Sequence, residues 1–245
     1  MSRPMSTMAA ATSLTVLVLA LGACSSNSPV SSPSATGQES STSASPSTMQ
    51  SNETETTSSS SVPSAAAPDP EAASKVLEGQ AAGVEFKKLN EFPNLDQALQ
   101  GADIQIEPAD CLGPGIKDIV AGALGSDKTG PVYILLSADS STAEKYKEYA
   151  QKCTTVTGTA AGVPVQQTLS LEQAPTVDGA TDVVALKNDT HTTANGKEIN
   201  TKAYVVAGTV NGTGVVAQTT TLTGQEPSPE LAVEIFTAQV EKLNS

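Results

Sequence analysis

The chain has no tryptophan, only 3% aromatic residues and a single histidine, His191. One histidine excludes the zinc-protease and histidine-triad sites, which need at least two. Neither a Gly-x-Ser-x-Gly nucleophile motif nor a phosphate-binding P-loop is present. His191 lies in the polar stretch 188–196, which predicts an exposed loop residue rather than a positioned general base. We therefore expect no enzyme, no bound cofactor and no metal site.

Basic residues are also scarce, with 13 Lys and Arg against 26 Asp and Glu and a formal net charge of −13. Nucleic-acid binding requires clustered basic side chains that neutralise phosphates, so we expect no nucleic-acid partner. The same deficit disfavours adsorption of the protein to an anionic lipid surface. Removal of Arg3, the only arginine, with a cleaved leader would make the balance one unit more negative.

Long apolar runs are missing except at residues 9–20, which follow Arg3 and precede Leu21-Gly22-Ala23-Cys24. This run is shorter than the about 20 residues that a spanning helix needs, so it predicts a signal peptide at residues 1–23. Small residues directly before a cysteine resemble the bacterial lipobox, in which diacylglycerol is attached to the thiol and the chain is cut before it. An ordinary secretory signal with a coincidental cysteine is the alternative.

Lipidation of Cys24 predicts how the protein is attached to the membrane. Two acyl chains, such as palmitate, hold a protein stably on a bilayer, whereas one chain binds only marginally. We therefore expect a lipoprotein on the outer face of the cytoplasmic membrane, in the cell envelope. The membrane would then be a partner through the lipid anchor alone.

A Ser/Thr/Pro-rich segment follows the cysteine. Residues 25–64 contain 17 Ser, 6 Thr and 4 Pro, and neither Lys nor Arg. Such a segment buries too little apolar surface to offset the entropy of ordering it, so we expect a disordered tether over residues 24–68. An extracytoplasmic domain is predicted to occupy residues 69–245, a length that can bury a core.

Cys111 and Cys153 remain once Cys24 carries lipid. An even pair of cysteines in an oxidising compartment indicates a disulfide. Two free thiols or a metal site are the alternatives. A metal site would need further ligands, and the lone histidine is distant in sequence.

The first half of the domain predicts a mixture of elements. Residues 69–80 look helical, as do residues 116–125, where apolar residues recur at helical spacing. Residues 103–107 and 131–137 are predicted strands. Ser141 and Glu144 predict a capping box for a helix that ends near Cys153. The disulfide would then hold two helices against the same side of a sheet.

The second half of the domain is mostly strand. Predicted strands cover 163–171, 181–187, 201–210 and 214–222, and Asn-Gly pairs at 195–196 and 211–212 indicate tight hairpin turns. A closing helix starts at Ser228-Pro229-Glu230. The pattern predicts an α+β fold, in which an antiparallel β-sheet meander packs against N-terminal and C-terminal helices and one disulfide braces the domain.

Four tyrosines are predicted to pack in the core, because each lies beside aliphatic residues on a predicted strand or helix: Tyr133, Tyr146, Tyr149 and Tyr204. The first three fall inside the segment that the disulfide would close. Lining a pocket is therefore the alternative for these three.

The domain resembles a group of actinobacterial envelope domains, the extracellular sensor domain of the mycobacterial receptor Ser/Thr kinase PknH and its lipoprotein relatives. The matching features are Pro108-Ala109-Asp110-Cys111, the strand at 132–137 and the helix from Ala143 to Cys153. Many relatives carry a second disulfide and a tryptophan before the cysteine at the helix end, which this chain lacks. The resemblance implies a ligand-binding or signal-sensing domain with a central antiparallel sheet and a cleft.

Two functions follow as expectations. The first is a non-catalytic ligand-binding or sensor-like domain that recognises an envelope ligand. The alternative is a structural or accessory lipoprotein that contacts another envelope protein. An enclosed apolar pocket would favour the first, and a flat exposed apolar patch the second. A cleft with two carboxylates, one with a raised pKa, would instead indicate an enzyme.

Overall fold

The computed structural model describes residues 71–90, 103–194, 196–222 and 224–245. The predicted signal peptide, Cys24 and the predicted tether lie outside these residues. In chain order the described elements are a 3-10 helix (Ala72–Lys75), β1 (Gly79–Ala81), β2 (Val84–Lys88), β3 (Ile104–Glu107), β4 (Ile119–Ser126), β5 (Pro131–Ser137), α1 (Thr142–Lys152), β6 (Thr155–Ala160), β7 (Val163–Glu172), β8 (Thr181–Ala194), β9 (Lys197–Val210), β10 (Thr213–Thr221) and α2 (Pro229–Asn244). None of the described helices is long and apolar enough to cross a membrane.

The ten described strands form one antiparallel sheet in the order β1-β2-β4-β5-β10-β9-β8-β7-β6-β3. Strands β6 to β10 follow one another as neighbours and make the predicted meander. β10 then lies between β9 and β5, with Val215 opposite Gly208 on one side and Leu136 on the other. The predicted α+β fold, with its meander, closing helix and single disulfide, is confirmed.

Helix α2 covers one face of the sheet. Its buried side chains Ile235, Phe236 and Val240 pack with Val206 and Ile134 in the larger of two hydrophobic clusters. A β-carbon at Gly208 would lie 2.7 Å from Phe236 Cζ, so the glycine lets this helix approach β9 closely. We call this the α2 face.

Helix α1 covers the other face. Ala143, Tyr146 and Ala150 pack with Val205 and Val216 in a second cluster that includes both disulfide cysteines. Adjacent residues in a strand point to opposite faces, which is why Val205 and Val206 belong to different clusters. We call this the α1 face.

The predicted helix at residues 116–125 was wrong, because this segment contains strand β4. Ala121 and Ala123 are two residues apart and both point to the α2 face, where they pair with Leu136 and Ile134 of β5. The sequence also has glycine at 122 and 125, which disfavours a helix interior. The disulfide therefore does not hold two helices on one side of the sheet.

The predicted helix at residues 69–80 is also wrong over its described part. Only Ala72–Lys75 is helical, as one 3-10 turn, and Gly79 already begins strand β1. The backbone of residues 75–77 hydrogen-bonds to side chains of α2 instead of to its own segment. Tertiary contacts thus override the local helical pattern.

The start of α1 is as predicted, but its cap differs. Ser141 makes no side-chain cap to the helix. Asp139 organises this turn instead, since its carboxylate accepts a hydrogen bond from the Ser141 backbone N–H at 2.9 Å and also binds Ser141 Oγ and Lys145 Nζ. Partial burial acts to raise the pKa of Asp139, but the bonds from Lys145 and Ser141 hold it below its usual value.

Two hairpins were missed in the sequence. The β1–β2 turn is made by Ala82-Gly83 and the β6–β7 turn by Ala161-Gly162, and all four residues have positive φ. Tight hairpins need this conformation, which Asn-Gly adopts readily and alanine adopts at a cost. The predicted turn at Asn211-Gly212 is confirmed in the same conformation.

Candidate functional site

The connection between β3 and β4 is a loop that the disulfide braces. We call residues 108–118 the disulfide loop. It joins β3, at one end of the sheet order, to β4, which is third from the other end. Loops held on a rigid scaffold in this way commonly carry binding residues.

The disulfide fixes the first part of the loop to α1. Cys111 and Cys153 are bonded with their Cα atoms 5.7 Å apart, and each side chain is 1% exposed. This confirms the predicted pairing. The bond lies where α1 ends, because Cys153 is the C-cap residue of that helix.

Polar contacts reinforce the same attachment. Asp110 and Lys152, the residues directly before the two cysteines, form an ion pair. The hydrogen bond from Lys152 lowers the pKa of the Asp110 carboxyl. Both side chains are exposed, so the pair contributes little to stability and mainly aligns the loop with the helix.

The end of the loop is tied to β5. Ser137 Oγ donates a hydrogen bond to Lys117 O at 2.6 Å, and the backbone N–H of Ala138 donates to Asp118 O at 2.9 Å. The loop is therefore fixed at the disulfide and again where it joins the sheet.

Two tyrosines of α1 support the loop from beneath. Tyr146 is buried, and burial raises the pKa of its hydroxyl. The hydroxyl of Tyr149 donates to Cys111 O at 3.4 Å and accepts from Gln167 Nε2 at 3.3 Å. Burial also raises the pKa of Tyr149. These hydroxyls are protonated at neutral pH and act as structural hydrogen-bonding groups.

The other two tyrosines lie elsewhere. Tyr133 is buried on β5, and Tyr204 is buried in the cluster on the α2 face. Burial first, and then the negative charges of Glu172 and Glu230, raise the pKa of Tyr204. Core packing, the first expectation for the tyrosines, is confirmed for Tyr133, Tyr146 and Tyr204, while Tyr149 is half-buried.

Leu112 is the loop residue that sequence reasoning missed. Its side chain is 45% exposed although it follows the buried Cys111. An apolar residue within Leu112-Gly113-Pro114-Gly115 was the available signal, because such turn-rich stretches seldom pack into a core. The site offers an exposed aliphatic side chain one residue after the bonded Cys111 and the charged pair of Asp110, one residue before it, with Lys152. That combination can bind a partly apolar ligand or protein surface.

His191 lies away from this site. It is on strand β8 rather than in a loop, and its exposed side chain points to the α2 face. Its Nε2 is 3.3 Å from Asp189 Oδ1, and Lys202 Nζ is 3.6 Å from Asp189 Oδ2. Lys202 also pairs with Glu226, and that hydrogen bond raises the pKa of the lysine. Lys202 thus bridges two partly exposed carboxylates, Asp189 and Glu226, and His191 lies beside the first of them.

The described residues contain no group of three or more His, Cys, Asp or Glu side chains that could hold a metal ion. Cys111 and Cys153, the alternative metal ligands considered above, are used by the disulfide.

No protein-family model matches the chain, and no curated protein matches it. The chain is similar to the X-ray structure of an uncharacterized protein (Rv0999 ortholog) from Mycobacterium smegmatis, with 14% identity and a TM-score of 0.36. The match covers 66% of this chain and 87% of that chain. At this level of similarity no function is carried over, and the resemblance to PknH-type sensor domains stays a prediction.

Proposed function

We propose that the protein is an envelope lipoprotein, anchored through Cys24 to the outer face of the cytoplasmic membrane, with a non-catalytic ligand-binding or sensor-like domain. The observation that supports the binding role most directly is the disulfide loop. It keeps Leu112 45% exposed beside a cysteine that is 1% exposed. A contact residue in a preorganised loop loses little conformational freedom when it binds.

The resemblance to PknH-type sensor domains supports the same proposal. The residues that carry it are Pro108-Ala109-Asp110-Cys111 and the helix from Ala143 to Cys153. These are the two segments that the disulfide joins. A ligand would therefore contact the part of the chain in which this protein is most similar to those domains.

A second candidate function is contact with another envelope protein. The large aliphatic residues that the described chain exposes favour it: Leu112, Val120, Leu124, Leu171 and Leu222. Leu124 and Leu171 lie on the α1 face, opposite Tyr133 and Leu186 in the sheet. A broad, shallow contact on this face would suit a protein partner better than a small molecule.

A charged substitution in the loop tests the binding role. We expect Leu112→Asp to lower the occupancy of a bound envelope molecule by about tenfold or more, because a buried carboxylate would replace an apolar contact. The measurement is native mass spectrometry of the full mature protein, solubilised gently from membranes. Leu171→Asp is the matched control, since Leu171 has similar exposure (41%) but lies on β7.

The outcomes separate the two functions. A retained adduct of low mass that Leu112→Asp removes, and Leu171→Asp does not, supports ligand binding. A protein partner cross-linked in whole cells and lost in Leu171→Asp, which changes the α1 face, supports the second function. Equal binding by wild type and Leu112→Asp in both assays would show that the disulfide loop is not the contact site.

A further inference from the structure

The turn between β9 and β10 consists of Asn211 and Gly212, which have φ values of 48° and 78°. It joins two strands from the middle of the sheet order. Val210 and Thr213, on either side of the turn, pair with each other and are buried, with 1% and 0% exposure. Asn211 is exposed, whereas Gly212 is buried. An asparagine side chain therefore lies at the surface of a turn that is otherwise packed.

The C-terminal end of α2 holds this side chain. Asn211 Nδ2 donates a hydrogen bond at 3.0 Å to Oδ1 of Asn244, the last residue of α2. The Asn244 side chain also lies close to Gly179, where a β-carbon would be 2.5 Å from Asn244 Nδ2. The amide of Asn211 is thus fixed by a residue that is 33 positions away in the sequence.

Asparagine followed by glycine is a chemically labile pair in water. The backbone nitrogen of Gly212 can attack Cγ of Asn211, because glycine has no side chain that hinders the approach. The Cγ–Nδ2 bond then breaks, ammonia leaves, and a cyclic imide forms. Water opens this ring at either carbonyl, which gives aspartate or isoaspartate. The net reaction is gain of water and loss of ammonia, so neither an enzyme nor a cofactor is needed.

We propose that Asn211 is a site of spontaneous deamidation and that Asn244 sets the rate of the reaction. Ring closure requires Asn211 Nδ2 to leave Asn244 Oδ1 so that Asn211 Cγ can reach Gly212 N. The closed turn is therefore unreactive, and the locally opened turn is reactive. Loss of one ordinary hydrogen bond raises the population of the opened turn by about fivefold. The reaction needs neither a bound ligand nor the lipid anchor, so it is independent of the proposed function.

Both products would disturb the contact between the turn and α2. Each places a carboxylate where the amide donated, so the hydrogen bond to Asn244 Oδ1 is lost. The new negative charge would lie at the C-terminal end of α2, which is the negative end of the helix dipole. Isoaspartate also lengthens the backbone between Val210 and Thr213, which are paired and buried. Deamidation therefore loosens the end of the closing helix.

Peptide mapping of the full mature protein, sampled during warm incubation at mildly alkaline pH, tests the proposal. Trypsin releases residues 203–242, which contain Asn211 as their only asparagine. Conversion at Asn195-Gly196 therefore does not interfere. We expect this peptide to gain the mass that corresponds to replacement of NH2 by OH, about fivefold faster in Asn244→Ala than in wild type. In Asn211→Gly the peptide should not change.

Thr221→Val is the matched control for Asn244→Ala. It removes one hydrogen bond, from Thr221 Oγ1 to Gln225 O at 2.6 Å, at the opposite end of β10. We expect Asn211 to convert in this variant at the wild-type rate, because the turn keeps its contact with α2. Equal rates in wild type and Asn244→Ala would overturn the proposal. Equal acceleration in the two variants would also overturn it, because global unfolding would then expose Asn211. Absence of conversion at Asn211 in both wild type and Asn244→Ala would show that it is not a deamidation site.

The effect on α2 is measured with variants of Asn211 itself. Asn211→Asp reproduces the aspartate product, and Asn211→Gly removes the same hydrogen bond without adding charge. Glycine adopts the positive φ of this position readily. We expect a Tm roughly 2–4 °C lower for Asn211→Asp than for Asn211→Gly at neutral pH and low salt. Equal Tm values would contradict the loosening of α2 by the new charge.

Discussion

Replacing residues 1–24 with a secretory leader that is cleaved without lipid attachment is expected to move nearly all of the protein from the membrane fraction to the soluble fraction. The acyl chains are the proposed attachment, and two chains hold a protein on a bilayer stably whereas one does not. The full chain has a formal net charge of −13, and loss of Arg3 makes the remaining chain one unit more negative, so it has no electrostatic affinity for an anionic bilayer. The measurement is cell fractionation followed by immunoblotting.

The control keeps the native leader and changes the other two cysteines, as Cys111→Ser with Cys153→Ser. This variant should remain with the membranes, because only Cys24 is proposed to carry lipid. Persistence of the leader-exchanged protein in the membrane fraction, after washing with high salt, would contradict the proposed anchoring. A second membrane contact would then have to exist.

The same double change, Cys111→Ser with Cys153→Ser, is expected to lower the free energy of unfolding by about 4 kcal/mol. The bond links residues separated by 42 positions, and a loop of that size confines the unfolded chain by about this amount. For a domain of this length the loss corresponds to a Tm lower by roughly 10 °C. Urea unfolding of the lipid-free protein measures it.

Two comparisons make the disulfide experiment specific. Wild-type protein unfolded with a thiol reductant should match the double variant, while Cys24→Ser should match oxidised wild type. A loss below about 1 kcal/mol would mean that the packing of Tyr146 and Ala150 holds α1 to the sheet without the covalent bond.

Much of the fold could be predicted because its second half has strong local signals. Asn211-Gly212 marks the turn between β9 and β10, and the apolar run at 131–137 coincides with β5. Ser228 was placed at the start of the closing helix, and in the structure its Oγ accepts a hydrogen bond from the Leu231 N–H. In these segments local pattern and tertiary packing favour the same conformation.

The failures occur where tertiary contacts decide the conformation. Apolar residues at helical spacing in 116–125 are also compatible with a strand, and pairing with β5 selects the strand. The two hairpins that turn at Ala82-Gly83 and Ala161-Gly162 were not predicted, because alanine seldom adopts positive φ.

The candidate site was only partly visible in the sequence. The Cys111–Cys153 bond was predicted because two cysteines remain once Cys24 is assigned to the lipid anchor. The exposure of Leu112 depends on the path of the loop in the folded domain. In the sequence, Gln239 looks like an ordinary polar residue of a helix. Its burial follows from the docking of residues 75–77, which no local pattern encodes.

The most direct test of the anchored lipoprotein is the intact mass of the mature protein, extracted from envelopes of cells that express it natively. The account predicts a polypeptide that begins at Cys24, lighter by two hydrogens for the disulfide and heavier by a diacylglyceryl group, with or without a further acyl chain. A mature chain of residues 24–245 without lipid, or a chain cleaved elsewhere, would contradict it.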